Sequence, residues 1–279
     1  MSRHQTFHAL HQHGCFVMPN PWDAGSARVM AGLGAKALAT SSAAHAFTLG
    51  RLDGGTLSRD EALAHAEMLV AATDLPVNGD LENGFADDPD SVAETVLMAA
   101  EVGLSGCSIE DTIPATATSY DFALAVERIR AASAAARRLG RPFTLCARAD
   151  GVMQGSYSLA EGIRRLQAFE AAGADLLYLP FPPGPDDLAQ VLAAVKKPLN
   201  ALAAGPLRQL SVQKIAAMGV RRISLGSQVA RAAQTALVSA VRAMLTEGSF
   251  APLLASLPGD DIDALLQQGA PAPDFGEDA

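Results

Sequence analysis

The chain has 279 residues, 49% of them hydrophobic and 18% charged, and its 21 Lys+Arg against 30 Asp+Glu give a formal net charge of −9. Such a composition excludes a mostly disordered chain, which lacks the apolar surface to offset chain entropy. It also excludes nucleic acid as a partner, since no Lys/Arg cluster offers phosphates a basic footprint.

In chain order, residues 1–14 are polar and rich in histidine, unlike a secretory signal. His4, His8 and His11 share one side of a possible first helix, read as a solvated face. Short apolar runs then alternate with longer segments of helical spacing. The runs cover residues 15–18, 36–40, 76–80, 106–110, 143–148, 175–179, 198–202 and 221–225, which makes eight expected strands. The helical segments between them include 59–73, 91–102, 122–139, 159–172, 186–195 and 212–218. Ser58 with Glu61 and Ser91 with Glu94 fit capping boxes. Asp23, Asp90, Asp121 and Asp150 read as helix caps. Gly103, Gly173 and Gly219 each precede a strand, the place of a helix C-terminal cap.

Eight strand–helix units in this length predict a (β/α)8 TIM barrel, with an open doubly wound sheet as the alternative. A long helix over 228–246 and a short one near 260–268 follow the last strand. Residues 1–269 thus read as one barrel domain with a C-terminal helical extension, and 270–279 as a flexible tail. Cys15, Cys107 and Cys146 stand alone, without metal or redox spacing, which points to a reducing compartment. The longest stretch free of Asp, Glu, Lys and Arg, 37–50, is too short and too polar to span a bilayer. The expected location is cytoplasmic, with no membrane partner.

In a barrel of this kind the active site lies at the C-terminal ends of the strands. The first run leads to Pro19-Asn20-Pro21-Trp22-Asp23, and the second to Ser41-Ser42-Ala43 and then Arg51-Leu52-Asp53-Gly54. The third ends in Asp80-Leu81-Glu82-Asn83-Gly84, the fourth in Glu110-Asp111 and the fifth in Arg148-Ala149-Asp150; the seventh carries Asn200, and the sixth, ending in Leu179-Pro180, is silent. Asp80 and Glu82 are two residues apart and so point the same way. With Glu110 and Asp53 they would repel one another unless a cation sits among them. A hard divalent ion, Mg2+ or alternatively Mn2+, bound partly through water, resolves this. Arg148 offers a planar fork to a substrate carboxylate. Cys107 and Cys146 read as inert filler of buried strands.

These pieces resemble the isocitrate lyase/phosphoenolpyruvate mutase superfamily, in family order over about residues 5–245. The resemblance implies a barrel whose last helix is exchanged between the subunits of a homodimer or homotetramer. It implies Mg2+ at Asp80, Glu82 and Glu110, largely through water, with Asp53 in support. Arg148 takes a substrate carboxylate, while Ser41, Ser42 and Ala43 hold an α-keto oxygen and carboxylate. Asp53 and Asn200 join the substrate set, and Arg148, Ser41 and Ser42 count also as catalytic candidates. The substrates implied are small α-oxo or α-hydroxy carboxylates that break a C–C or P–C bond.

The chain departs from the family in the loop after the fourth strand. Lyase members carry Lys-Arg-Cys-Gly-His or a close relative there, whereas Thr112-Ile113-Pro114-Ala115-Thr116-Ala117-Thr118-Ser119-Tyr120-Asp121 holds no Cys, Lys or His. Mutase members carry Lys directly after the Glu-Asp pair, where this chain has Thr112. Tyr120 is the remaining catalytic candidate in the loop. The expectation is an Mg-dependent lyase cleaving a C–C bond of an oxaloacetate-like acid by retro-aldol, decarboxylation or hydrolysis. The alternatives are a P–C mutase or hydrolase, or a phosphate-ester-binding barrel using Ala203-Ala204-Gly205 and Leu225-Gly226-Ser227. The four lysines, Lys36, Lys196, Lys197 and Lys214, lie at strand entrances or on a helix, which excludes a Schiff-base aldolase.

Overall fold

The computed structural model describes residues 1–116 and 118–273; of the tail expected over 270–279, residues 274–279 lie outside the described residues. Eight parallel strands form one sheet: β1 Phe16–Met18, β2 Leu38–Ala39, β3 Val77–Asp80, β4 Gly106–Glu110, β5 Thr144–Arg148, β6 Leu176–Tyr178, β7 Leu199–Leu202 and β8 Arg222–Ser224. Their order is β1-β8-β7-β6-β5-β4-β3-β2, so the first and second strands meet at the ends of the ladder. That seam is drawn together by the Ala39 N–H, which donates to the Pro19 carbonyl at 3.1 Å. Asn20 closes it further, donating from Nδ2 to the Thr40 carbonyl at 2.9 Å and accepting the Leu225 N–H on Oδ1 at 3.0 Å. The result is a (β/α)8 barrel, not the doubly wound alternative. Each strand lies within its expected run, because strands covered on both faces must be apolar throughout.

Helices sheathe the outside, and their small apolar faces pack on the strands as one core, from Ala66 and Leu69 through Val96, Ala132 and Phe169 to Val191. Gly103, Gly173 and Gly219 follow helix ends with φ of +87°, +103° and +105°, as their place before a strand predicts. The Ser58–Glu61 capping box is present. The one expected at Ser91–Glu94 is not: the helix Pro89–Glu101 begins two residues earlier and Asp88 caps it, accepting the Ser91 N–H at 2.9 Å. Pro89 in the first turn, with φ preset and no N–H to satisfy, fixes that start and leaves Asp90 inside the helix. Asp23 and Asp121 do cap, through Ser26 and Ala123.

The N-terminal helix Arg3–Leu10 is not solvated along its histidine face. It covers the base of the barrel, where Phe7 is fully buried and His11 packs edge-on against Phe7 and Phe16. His11 Nδ1 donates to the Phe7 carbonyl at 2.8 Å, and His4 bonds Ser105; only His8 faces solvent. At the other end of the chain, helix Gln228–Arg242 runs into a wider turn, Ala243–Glu247, and leaves an apolar stripe exposed. The last helix, Gly259–Gln268, lies against Ala24–Gly32. A side chain at Gly32 would meet the Leu265 carbonyl at 2.6 Å, so this close approach requires glycine. Among the described residues no helix is long and apolar enough to cross a membrane.

Candidate active site

The strand ends converge on one cleft of about 330 Å³, lined among others by Ser41, Ser42, Ala43, Asp53, Asp80, Glu82, Glu110 and Arg148. Asp80 ends β3, and its N–H donates to Thr40 Oγ1 at 2.7 Å. The Ser42 N–H and hydroxyl both donate to Asp80 Oδ2 at 3.0 Å, while Ser41 caps the short helix Ser42–Thr48. Glu82 reaches the same cleft by a route that strand alternation does not supply. The strand has already ended, and Glu82 adopts the left-handed region at φ +46°. Its carbonyl then accepts the Glu110 N–H at 2.8 Å, tying the β3 turn to the end of β4.

Arg148 sits at the centre of this arrangement. Its Nη1 donates to Asp80 at 2.9 Å and lies 2.8 Å from Glu110. Asp150 grips the other edge of the guanidinium at 2.6 Å and 3.1 Å. The guanidinium thus brings positive charge to Asp80, Glu110 and Asp150 on its side of the cleft. Asp150, expected as a helix cap, makes no capping bond because Arg148 takes both its oxygens. Among the described residues no three His, Cys, Asp or Glu side chains converge closely enough to ligate an ion directly.

The electrostatics still favour a cation. Burial and the neighbouring Asp80 push Glu82 up to about 7, and the same two causes raise Asp53. Burial raises Glu110 well above the usual carboxylate range despite Arg148. An all-oxygen donor set facing open cleft fits a hard divalent ion bound partly through water.

Two expected residues are held elsewhere. Tyr120 is buried, its hydroxyl donating to Asp87 at 2.5 Å and accepting from Asn83, with Arg128 stacked on its ring at 3.9 Å. It anchors the loop rather than facing the cleft. Asn200 lies below the mouth, donating to Ser224 at 2.9 Å and accepting from Arg222 at 2.8 Å, so both ends of its amide are engaged.

Several residues of the site were not singled out in the sequence. Tyr178, at the end of the silent sixth strand, lines the cleft beneath Arg148, whose guanidinium lies 4.9 Å from its ring centre. Gln154, Gln228 and Arg231 also line it. Asp111 is a buried brace: it accepts the Asp150 N–H at 2.9 Å, the Tyr157 hydroxyl at 2.8 Å and Arg165 at 3.0 Å. For Tyr178 and Asp111 the available signal was their place within two residues of a strand end. After β4, Thr112 pairs with Ser119, and Pro114 and Ala115 line the mouth, Pro114 packed beside Gly55.

Comparison with known proteins agrees with this geometry. A family model described as phosphoenolpyruvate phosphomutase matches residues 7–245. A solved structure from Burkholderia cenocepacia J2315, classed only as a lyase/mutase, is 45% identical with a TM-score of 0.90 and covers 94% of each chain. An oxaloacetate decarboxylase of Paraburkholderia xenovorans is 30% identical over 284 residues, 96% of this chain and 89% of its own length. The structure of an oxaloacetate acetylhydrolase bound to its product oxalate is 26% identical with a TM-score of 0.83, covering 95% of this chain and 94% of its own. On the fold, the cleft and these matches together, the chain belongs to the phosphoenolpyruvate phosphomutase family of the isocitrate lyase/PEP mutase superfamily, whose members are lyases and mutases.

Proposed function

We propose that this enzyme cleaves a carbon–carbon bond of a small dicarboxylate of the oxaloacetate type, with Mg2+ or Mn2+ held by Asp80, Glu82 and Glu110 and supported by Asp53. The observation that carries this reading is the set of five carboxylates, Asp53, Asp80, Glu82, Glu110 and Asp150, gathered about the single guanidinium of Arg148. A bound divalent ion would supply fixed positive charge beside the oxygen on which enolate charge develops.

The chain's own residues do the rest. Asp150 fixes Arg148 along one edge, so Nη1 is the group that exchanges Asp80 and Glu110 for a substrate carboxylate. Ser41, Ser42 and Ala43 line the cleft as well, and the Ser42 N–H and hydroxyl, which rest on Asp80, would turn to the α-keto oxygen once Asp80 faces a bound ion. Arg231 at the rim forms no ion pair among the described residues and suits a second carboxylate.

Decarboxylation breaks the bond between the distal carboxylate and its carbon, sends the electron pair into the keto oxygen and releases CO2. The enolate then takes a proton from water. That route needs no acid on the loop, which holds no Cys, Lys or His. The names of the two oxaloacetate-consuming relatives support the same substrate class.

A phosphate-ester ligand is less well supported. Leu225, Gly226 and Ser227 line the mouth, but the N–H groups of Ala203, Ala204 and Leu225 already serve Ser224, Leu202 and Asn20. The test is turnover of oxaloacetate, substituted malates, phosphonopyruvate and isocitrate by chelated protein, before and after Mg2+ is added. Metal-dependent loss of oxaloacetate or a malate is expected; metal with no turnover of either would sink the reading.

A further inference from the structure

One row of the sheet register runs through five strands. Glu110 pairs with Arg148, Arg148 with Tyr178, Tyr178 with Asn200 and Asn200 with Arg222. Barrel strands tilt against the barrel axis, so a row that starts at the mouth on β4 descends into the interior by β8. Its last member, Arg222, is only 2% exposed and is among the largest fully buried side chains. It points inward, since its Nη1 crosses the barrel to Asn78 Oδ1 at 3.3 Å while Nε donates to Asn200 Oδ1 at 2.8 Å. The Cys146 thiol touches it as well. Every partner is neutral. Among the described residues no carboxylate forms an ion pair with Arg222.

A buried charge is ordinarily paired, because taking it out of water costs far more than a hydrogen bond to an amide returns. Barrel interiors are ordinarily filled with branched apolar side chains. Arg222 breaks both rules directly beneath a site that concentrates carboxylates. We infer that Arg222 is a positioning residue for charge: an uncompensated cation under the cleft floor whose field helps hold a doubly charged carboxylate ligand among the acids. Its polar partners are amides because a carboxylate there would cancel that field. Tyr178 and Asn200 separate it from the ligand, so it acts through space and touches no reacting atom.

The inference rests on the carboxylate reading of the cleft. It is tested by calorimetric titration, at fixed Mg2+, with oxalate and glyoxylate, which are similar in size and differ by one charge. At an effective dielectric near 20, a unit charge about 10 Å away changes the affinity for a single opposite charge on the order of tenfold. Arg222→Gln is therefore expected to weaken oxalate about tenfold more than glyoxylate, and Arg222→Lys to keep the ratio within about threefold.

Asn200→Asp is the sharper variant. It keeps Arg222, sets a carboxylate directly against its guanidinium, and lets the Ser224 hydroxyl turn to donate. A residue that merely props the barrel would leave the oxalate-to-glyoxylate ratio of Asn200→Asp unchanged, and that result overturns the inference even if Arg222→Gln fails to fold. Loss of the ratio in Asn200→Asp, matching that in Arg222→Gln, bears it out. Wild-type protein that binds neither ligand overturns the carboxylate reading itself, and this inference with it.

Discussion

Arg148 makes four contacts to three carboxylates: Nη1 reaches Asp80 and Glu110, while Nε and Nη2 together hold Asp150. Lys cannot reproduce a planar grip on Asp150 while offering a second edge to a substrate. Arg148→Lys is therefore expected to raise KM by roughly 10–100-fold, the loss of one charge-assisted hydrogen bond at about 1.5–3 kcal/mol. Thermal unfolding should move by only a few degrees, since Asp150 keeps a cation. Unchanged kinetics would remove Arg148 from substrate binding. Asp80, Glu110 and Arg148 were legible in the sequence because each is the last residue of its strand, where barrel geometry alone aims it at the mouth. Glu82 was legible for the wrong reason: a left-handed turn, not strand alternation, brings it in. Asn200 lies within a strand and Tyr120 in the loop after one, but their polar groups are taken by Arg222, Ser224, Asn83 and Asp87, and no sequence spacing announces such partners.

Among the elements, the strands could be read almost to the residue, while the N-terminal helix was misjudged, because polar histidines look solvated until the barrel base they cover is known. That misreading has a measurable counterpart. Burial lowers His11 to about 3 and His65 to about 4, from an ordinary value near 6.5. The unfolded chain takes up protons below pH 6.5 that the folded rings refuse, so stability is complete above that value and falls as pH drops toward 4. The fall is on the order of 2–3 kcal/mol per ring. Denaturant titrations at pH 7, 5.5 and 4.5 should show it, and His11→Asn, which keeps a donor for the Phe7 carbonyl, should lessen the slope; an unaltered slope would assign the acid loss to other groups. The loop over residues 112–121 carries a second expectation. It is already tied down by Gln154 to Thr112 at 3.1 Å and by Ser119 to Ser156 at 2.6 Å, yet brings no titratable donor but Tyr120 and Asp121, both occupied. General acid catalysis is worth about 10²–10⁴ in rate. Isocitrate and phosphonopyruvate turnover should thus stay negligible beside that of oxaloacetate. Isocitrate cleavage near one per second, the low end of ordinary turnover, would show that another group supplies the proton.

At the scale of the whole molecule, helix Gln228–Arg242 and the segment after it expose apolar side chains that suit a second copy of this chain. Leu237 is 55% exposed, Leu254 90% and Leu257 60%, beside Val238, Val241 and Leu253. Single exposed apolar residues are unremarkable, but a contiguous set of this size on one end of a chain marks a contact surface. Burying each such side chain is worth about 1.5–3 kcal/mol, and a two-fold contact buries the set from both chains. The helix packs chiefly on the segment that follows it rather than on the strands, which suits a helix that seats on a second barrel. Its first turns carry Gln228 and Arg231 at the rim of the cleft, so assembly through this helix is expected to affect the site. Light scattering at micromolar concentration is expected to find a dimer or tetramer. Introducing Leu237→Glu together with Leu254→Glu should shift it toward monomer and lower kcat/KM in parallel, as the helix that places Arg231 loses its support. A monomeric wild type would refute the surface, and a monomeric double variant with full activity would show that Arg231 reaches the cleft without it.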